Sequence, residues 1–587
     1  MAETQSKTKK NNNHNMRKVL PFYAKQKGLF SLLMVLFFLT GAIGVVEPVL
    51  SATALANLAT GNFDTALTFA ILMTVASVVR SLLGTVQQYF YVKFNSKIEY
   101  ALLKKLMHSI GMVKMQKIDS VQTGYLTERI SQDVGVVGRT YLDIVDIVFE
   151  IITNAVFLVY IAFLNWQIFL LLMVYVICLY VLCVFKSRAW IRGRKKGRKI
   201  LDDARSAYVE QITAVRDIRL LHIHENVDKH SNDIMQNAIK EREKVVLKRR
   251  LFVSGQTVLS AGFELLFVIL GIALVRAELL LLAGFLVIYT YHGRVEGLVN
   301  YFSSFKEQMA EGEVSAARVF EVIEDYEKES FGTAEIENFS GKIELQNVKF
   351  AYDETIPVLK DVSMNFKPGE MTAIVGKSGS GKTTILSLLS KLYSVQDGKI
   401  LLDENDIEEL SEHSIRSNVG IVSQMPYIFN TTIRQNLLFV KPDAEEKELV
   451  KVLKDAQIWD DVKKFKDGID TVIGKNGIMI SGGQRQRIAI ARLLLAGSKV
   501  IVFDEATSAL DNENQSKIVS ILEKYKTEKT IIIVAHRLST IVGADKIYML
   551  KNGVVCGEGT HKDLMKNCAD YKELYELEES SATPEEN

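Results

Sequence analysis

Residues 371–383 read Met-Thr-Ala-Ile-Val-Gly-Lys-Ser-Gly-Ser-Gly-Lys-Thr. Ala373, Ile374 and Val375 make a short buried-strand pattern. Gly376, Gly379 and Gly381 space out a loop, and Lys382 and Thr383 open an apolar stretch of helical character. This is the G-x-x-x-x-G-K-[ST] spacing in a strand–loop–helix context. The glycines let successive backbone N–H groups approach phosphate oxygens with no Cβ in the way. The helix N-terminus adds partial positive charge. Lys382 is suited to reach the β- and γ-phosphates and Thr383 to ligate Mg²⁺. The chain is therefore expected to bind a nucleoside triphosphate through Gly376, Lys377, Ser378, Gly379, Ser380, Gly381, Lys382, Thr383 and Thr384.

Two further patterns enlarge the site. Residues 500–503 are apolar and end in Asp504 and Glu505. A buried strand of that kind delivers both carboxylates to its C-terminal end, where open α/β sheets bind ligands. There Asp504 can hold Mg²⁺ and Glu505 can polarise an attacking water. Ile480, Ser481, Gly482, Gly483 and Gln484 precede a helix starting near Arg485, a second anion-binding geometry. One chain thus carries two candidate phosphate-binding loops.

This set resembles the nucleotide-binding domain of the ATP-binding cassette transporters. Ile480 stands where that family's signature loop usually has Leu. The resemblance implies that the signature loop, Ser481 to Gln484, faces the γ-phosphate held by a second domain's glycine loop, so that two domains enclose two ATP molecules. It implies an adenine-stacking role for Tyr352 and a Mg²⁺-sensing role for Gln424, which would also contact the turns of the membrane domain. His536 would contact the γ-phosphate, and Ser508, Ala509, Leu510 and Asp511 would cross the interface. The catalytic set is then Lys382, Gln424, Glu505 and His536, and the metal set Thr383, Gln424 and Asp504. The sequence departs from the family at Lys475, where Glu is usual. The reversed charge would favour an acidic contact and points to an unlike partner chain, although the intact motifs would also serve two identical chains.

The elements that carry these motifs follow from the distribution of apolar residues along 587 positions. Hydrophobic residues make up 48% of the chain and crowd its first half. Six segments are long and apolar enough to cross a bilayer: 28–50, 66–93, 138–163, 167–186, 251–275 and 279–302. The 1–2, 3–4 and 5–6 connections are short. The 2–3 and 4–5 connections are long, helical in pattern and basic, the latter with Arg188, Arg192, Arg194, Lys195 and Lys196. The positive-inside rule puts the long connections and both termini in the cytoplasm. Turns near 115–124 and 207–225 are candidate contacts for a cytoplasmic domain. With the motifs, this layout resembles an exporter-type half-transporter: an α-helical polytopic membrane domain of six spans with long cytoplasmic helical extensions, then an α/β P-loop NTPase domain of ABC type. The expected divisions are a tail with a short amphipathic helix at 1–27, the six-span domain at 28–325, a linker at 326–340, the nucleotide-binding domain at 341–570 and a loose acidic tail at 571–587.

Other classes are disfavoured. A net charge of +2 gives no argument for nucleic-acid binding. Cys178, Cys183, Cys556 and Cys568 have neither ligand spacing nor a disulfide framework. The basic start precedes a long apolar run with no cleavage site, so it reads as an anchor rather than a signal peptide. Only about 27 residues precede the first span and none is Cys, so no papain-like peptidase domain is expected there. Ionisable residues inside spans are functional candidates by default. Here they are Glu47, Arg80, Asp146, Glu150, Glu264, His292, Arg294 and Glu296, read as a polar cavity for a charged or zwitterionic solute. The expected function is ATP-driven export of a small molecule, drug, lipid or peptide from the cell membrane, by a dimer of half-transporters. Import of a metal chelate and a non-transport regulatory ATPase are the alternatives.

Overall fold

A computed structural model describes residues 15–121, 123–353, 356–474, 477–504, 512–535 and 541–582. The chain divides into two compact units, Met1–Gly111 with Gln122–Tyr326, and Met112–Val121 with Glu327–Asn587.

The first unit is helical. Six long helices dominate it: α1 (Lys27–Ala59), α2 (Phe63–Gly111), α3 (Val134–Leu164), α4 (Trp166–Thr213), α5 (His224–Arg276) and α6 (Leu282–Phe320). α1 and α2, α3 and α6, and α4 and α5 pack most extensively against each other. Among the described residues, five stretches are long and apolar enough to cross a membrane: Lys27–Ala59, Phe63–Gly111, Gly124–Leu164, Trp166–Phe185 and His224–Arg276. The sixth expected span is also helical, within α6, but is not among these five; it carries His292, Arg294 and Glu296 in its apolar run. The short connections lie where expected. Asn165 turns the chain between α3 and α4 by capping α4, its Oδ1 accepting from the Gln167 and Ile168 amides at 3.0 and 3.1 Å.

The short amphipathic helix expected at the start is helical over Met16–Val19 and Leu20–Ala24, with Met16, Val19 and Tyr23 buried. The Asn15 and Met16 amides donate to Glu313 of α6 at 2.9 and 3.1 Å, and the Tyr23 hydroxyl donates to the Gly138 carbonyl of α3. Arg129 is 3% exposed and pairs with Asp133 at 3.0 Å. Asp133 also accepts from Ser315 of α6 at 2.7 Å. That buried polar knot fixes the start of α3 to α6.

The second unit is built on a ten-stranded sheet. Its strands are β1 (Ile343–Phe350), β2 (Leu359–Phe366), β3 (Met371–Val375), β4 (Asp397–Leu402), β5 (Asn405–Asp406) and β6 (Val419–Val422); a two-stranded ribbon, β7 (Thr431–Thr432) with β8 (Val472–Ile473), stands apart. β9 (Val500–Asp504), β10 (Thr530–Val534), β11 (Lys546–Lys551) and β12 (Val554–Gly559) complete it, in the order β5-β4-β1-β2-β12-β11-β3-β10-β9-β6. The stretch from β11 to β6 is parallel, while β1 pairs antiparallel with β2 and β4. Parallel strands are covered on both faces, hence their uninterrupted apolar runs. Every residue of β3 and β10 is buried. Alternation divides them between two cores: Met371, Ala373 and Val375 face one, Ile374 the other.

Residues 326–340, expected as a plain linker, are held in place. The Glu329 amide donates to the Met112 carbonyl at 2.8 Å, Ala334 and Leu410 form a parallel bridge, and the Ile336 amide donates to Ser414 at 2.9 Å. The acidic end expected to be loose is helical over Ala569–Ala582, because Tyr571 is fully buried and Asp570 bonds Lys551 at 2.6 Å. These contacts are tertiary, and local acidity gives no sign of them.

Candidate nucleotide site

The glycine loop leaves the end of β3 and enters helix α7 (Lys382–Leu389). Gly379 and Gly381 have φ of 76° and 106°, which glycine adopts without the steric cost other residues meet. At Gly376 a Cβ would collide with the Leu550 carbonyl. The tight path is thus written into residue type. Lys382 is buried and its Nζ donates to the Gly376 and Lys377 carbonyls at 2.8 and 3.1 Å, so the ammonium lies folded across the loop. Ser380 Oγ is buried with no hydrogen-bond partner. A cradle of turned glycines, a buried ammonium and an orphaned hydroxyl fit a polyphosphate. Thr383 is exposed at the start of α7, whereas Thr384 is buried and its hydroxyl lies 3.3 Å from that of Tyr352.

Register sets the neighbours. Ile374, Val534 and Asp504 stand side by side across β3, β10 and β9, so Asp504 ends its strand at the same sheet edge from which the loop departs. Gln424 follows β6, which pairs with β9 through Val422 and Phe503. Its side chain is exposed and its carbonyl accepts from Gln486 at 3.4 Å. Exposed Thr383, half-buried Asp504 and exposed Gln424 supply the oxygen donors suited to Mg²⁺. Glu505, His536, Lys475 and the run from Ser508 to Asp511 lie outside the described residues.

Tyr352 is 41% exposed, leaving ring surface for a base. The rings of Phe350 and Tyr393 meet it edge-on, with centroids 5.0 and 5.1 Å away. Tyr393 had no sequence signal; only the fold brings it to Tyr352.

The signature loop begins helix α8 (Gly482–Ala496). Ser481 Oγ accepts from the Gln484 amide at 3.2 Å and Gln484 Oε1 from the Ser481 amide at 2.9 Å, a capping box. Ser481 and Gly482 are exposed and Gly483 is buried. The Gln484 side chain is therefore engaged in shaping the turn, a role its place in the motif did not suggest. Further along α8, Arg492 donates to the Tyr427 carbonyl at 2.7 Å and the Asn436 carbonyl at 3.0 Å, fixing the segment after Gln424. Burial pushes the Arg492 guanidinium down from its usual range.

The intramembrane candidates fall into smaller groupings. Arg80 of α2 bonds Glu47 of α1 at 3.2 Å, against Gly44, which leaves room for the guanidinium. Glu264 of α5 accepts from Tyr289 at 3.3 Å and borders a cavity of about 90 Å³ with Tyr175, Ser260, Phe263 and Phe267. Glu150 and Arg294 are half-buried on α3 and α6. The side chains of His292 and Glu296 are outside the described set.

Comparison with known families agrees with this anatomy. Residues 30–295 match the ABC transporter transmembrane region and residues 359–508 the ABC transporter domain. The chain belongs to the ABC transporters, a family whose cassette binds ATP, and the resemblance read from the motifs is borne out. One membrane region followed by one cassette is the half-transporter arrangement, and the chain is a multi-pass membrane protein. The transmembrane region disfavours the reading as a soluble regulatory ATPase. The ATP-dependent lipid A-core flippases of Escherichia coli K12 and Shigella flexneri are each 37% identical over 286 residues, 48% of this chain and 48% of theirs. The chain spans about half the length of the curated relatives it matches.

Proposed function

We propose that the chain is half of an ATP-driven exporter that dimerises in the cell membrane, with both termini and the cassette in the cytoplasm. The observation that carries this reading is a glycine cradle with its buried ammonium, Lys382, in the same chain as a bundle of membrane-length helices. Similarity to lipid flippases favours outward movement of an amphiphile over import of a metal chelate.

In this reading the N–H groups of the glycine loop hold the polyphosphate, and the Lys382 ammonium leaves its two carbonyls for the β- and γ-oxygens. Mg²⁺, held by Thr383, Asp504 and Gln424, would neutralise phosphate charge when bound. Glu505 orients the attacking water, His536 holds the γ-phosphate and Tyr352 receives the adenine. Ser481 and Gly483 act on the nucleotide of the partner chain. Their exposed loop, stiffened by the capping box, suits a docking role. Clamping and release of two cassettes would move the long helices between inward- and outward-facing states. The intramembrane ionisable residues would serve the solute, with Glu47 and Arg80 neutralising each other. Lys475 favours an unlike partner chain.

Purified chain in lipid nanodiscs should hydrolyse ATP, and Glu505→Gln should trap an ATP-bound state. Rapid turnover by Glu505→Gln would refute its role. Flipping of fluorescent lipid in proteoliposomes tests direction; uptake against that direction would favour import.

A further inference from the structure

Tyr352 is more elaborately held than an exposed aromatic ring at a strand end needs to be. Its ring plane is fixed edge-on by Phe350 and by Tyr393, both at 89°. Its carbonyl accepts from Gln116 Nε2 at 3.2 Å. Tyr393 in turn donates its hydroxyl to the carboxylate of Asp119. Gln116 and Asp119 both belong to a short helix, Met115–Ser120, in the stretch that follows α2 in the chain.

That stretch is not a loose turn. Val113 forms an antiparallel bridge with Lys328, and the Lys114 amide donates to the Glu327 carbonyl at 2.9 Å. Lys114 Nζ also meets Glu327 at 2.8 Å. Asp119 is therefore presented from an anchored segment, and the second unit contains Met112–Val121 as an integral part. Burial, and then the Asp119 carboxylate, push the Tyr393 hydroxyl well above the usual tyrosine range, so it stays a donor at any working pH.

We propose that Tyr393, oriented by Asp119, is a positioning residue that pre-orders Tyr352 for the nucleotide base, and that the segment following α2 thereby tunes nucleotide affinity. This rests on the reading of Tyr352 as the base platform. The physical reason is entropic. A half-exposed tyrosine free to turn must be immobilised when a base stacks on it, whereas a ring already gripped edge-on by its neighbours has met that cost in folding. A charge-assisted hydrogen bond to a carboxylate is a strong way to hold the gripping ring. Simple space-filling by Tyr393 would require its ring but not its hydroxyl.

The test uses the full chain in nanodiscs, with equilibrium binding of ATP and of inorganic tripolyphosphate, which has no base to stack. Tyr393→Phe keeps shape and removes the bond, and Asp119→Asn keeps shape and removes the charge that strengthens it. Each should weaken ATP binding about threefold to tenfold, leave tripolyphosphate binding unchanged, and raise KM with kcat held. Tyr352→Ala should weaken ATP binding at least as much. Adding Tyr393→Phe to Tyr352→Ala should then change nothing more. Unchanged ATP affinity in Tyr393→Phe and Asp119→Asn beside a loss in Tyr352→Ala would overturn the positioning role alone. Equal loss of both ligands would also overturn it, as misfolding of the site. Unchanged ATP affinity in Tyr352→Ala would overturn the base-platform reading and the positioning role with it.

Discussion

Helix α2 and strand β3 are both strongly apolar, yet they are stabilised in opposite ways. Only 6% of the most apolar window of α2 is buried within the protein, whereas all five residues of β3 are. Along α2, Leu67, Ile71, Val75, Val78 and Leu82 are exposed at roughly helical spacing. A soluble protein rarely shows a patch of that extent, but lipid accepts it and demands only that backbone polar groups be satisfied within the helix. β3 hides its side chains in two protein cores and spends its C-terminal end on chemistry. One unit therefore tolerates change on its outer surface and is sensitive at its few buried polar contacts. The other is sensitive throughout its parallel strands and the loops that leave them.

The sharpest way to break that contrast is at the glycine cradle. Lys382→Ala should lower ATP hydrolysis on the order of 10²–10³-fold, the scale of losing one preorganised charge donor, with the fold intact by circular dichroism. Next comes the helical unit's buried knot. Arg129→Ala removes the nearer cation from buried Asp133, leaving Arg318 at 3.8 Å, and should cost up to about 3 kcal/mol, read as a fall in thermal midpoint. A smaller effect is expected within the spans. Glu264→Gln or Arg294→Gln should alter solute-stimulated ATPase several-fold while basal hydrolysis persists; unchanged transport in both would remove the cavity reading. Smallest is Glu573→Gln. Its partner Lys377, at 3.0 Å, is 66% exposed and Glu573 is 56% exposed, so stability should change by less than about 1 kcal/mol.

The same contrast governs what was legible beforehand. Helices such as α1 and α4 announce themselves by length and hydropathy, and the Asn165 turn by its polar break. The glycine loop and the strand ending in Asp504 are legible because phosphate chemistry restricts both residue type and spacing. α6 is less plain, since Arg294 and Glu296 interrupt its apolar run. Three features were hidden. Tyr393 meets Tyr352 only because residue 393 and residue 352 are brought together by the sheet. The turn near 115–124 is expected to contact a cytoplasmic domain, but the bonds that tie residues 112–114 to 327–329, far along the chain, were not legible. The acidic end is helical because Tyr571 finds a core. Each is a long-range contact, which no local pattern encodes.

The central claim is that the loop containing Lys382 is completed by the signature loop of another chain. The direct measurement is ATP hydrolysis by mixed dimers of Lys382→Ala and Ser481→Arg chains, co-expressed with different tags and purified through both. Across two chains, one site of the mixed dimer combines both defects and the other neither. The account predicts that the mixed dimer regains a substantial fraction of wild-type hydrolysis while each variant alone stays inactive. A mixed dimer as inactive as its parents, beside an active wild-type dimer, would contradict it.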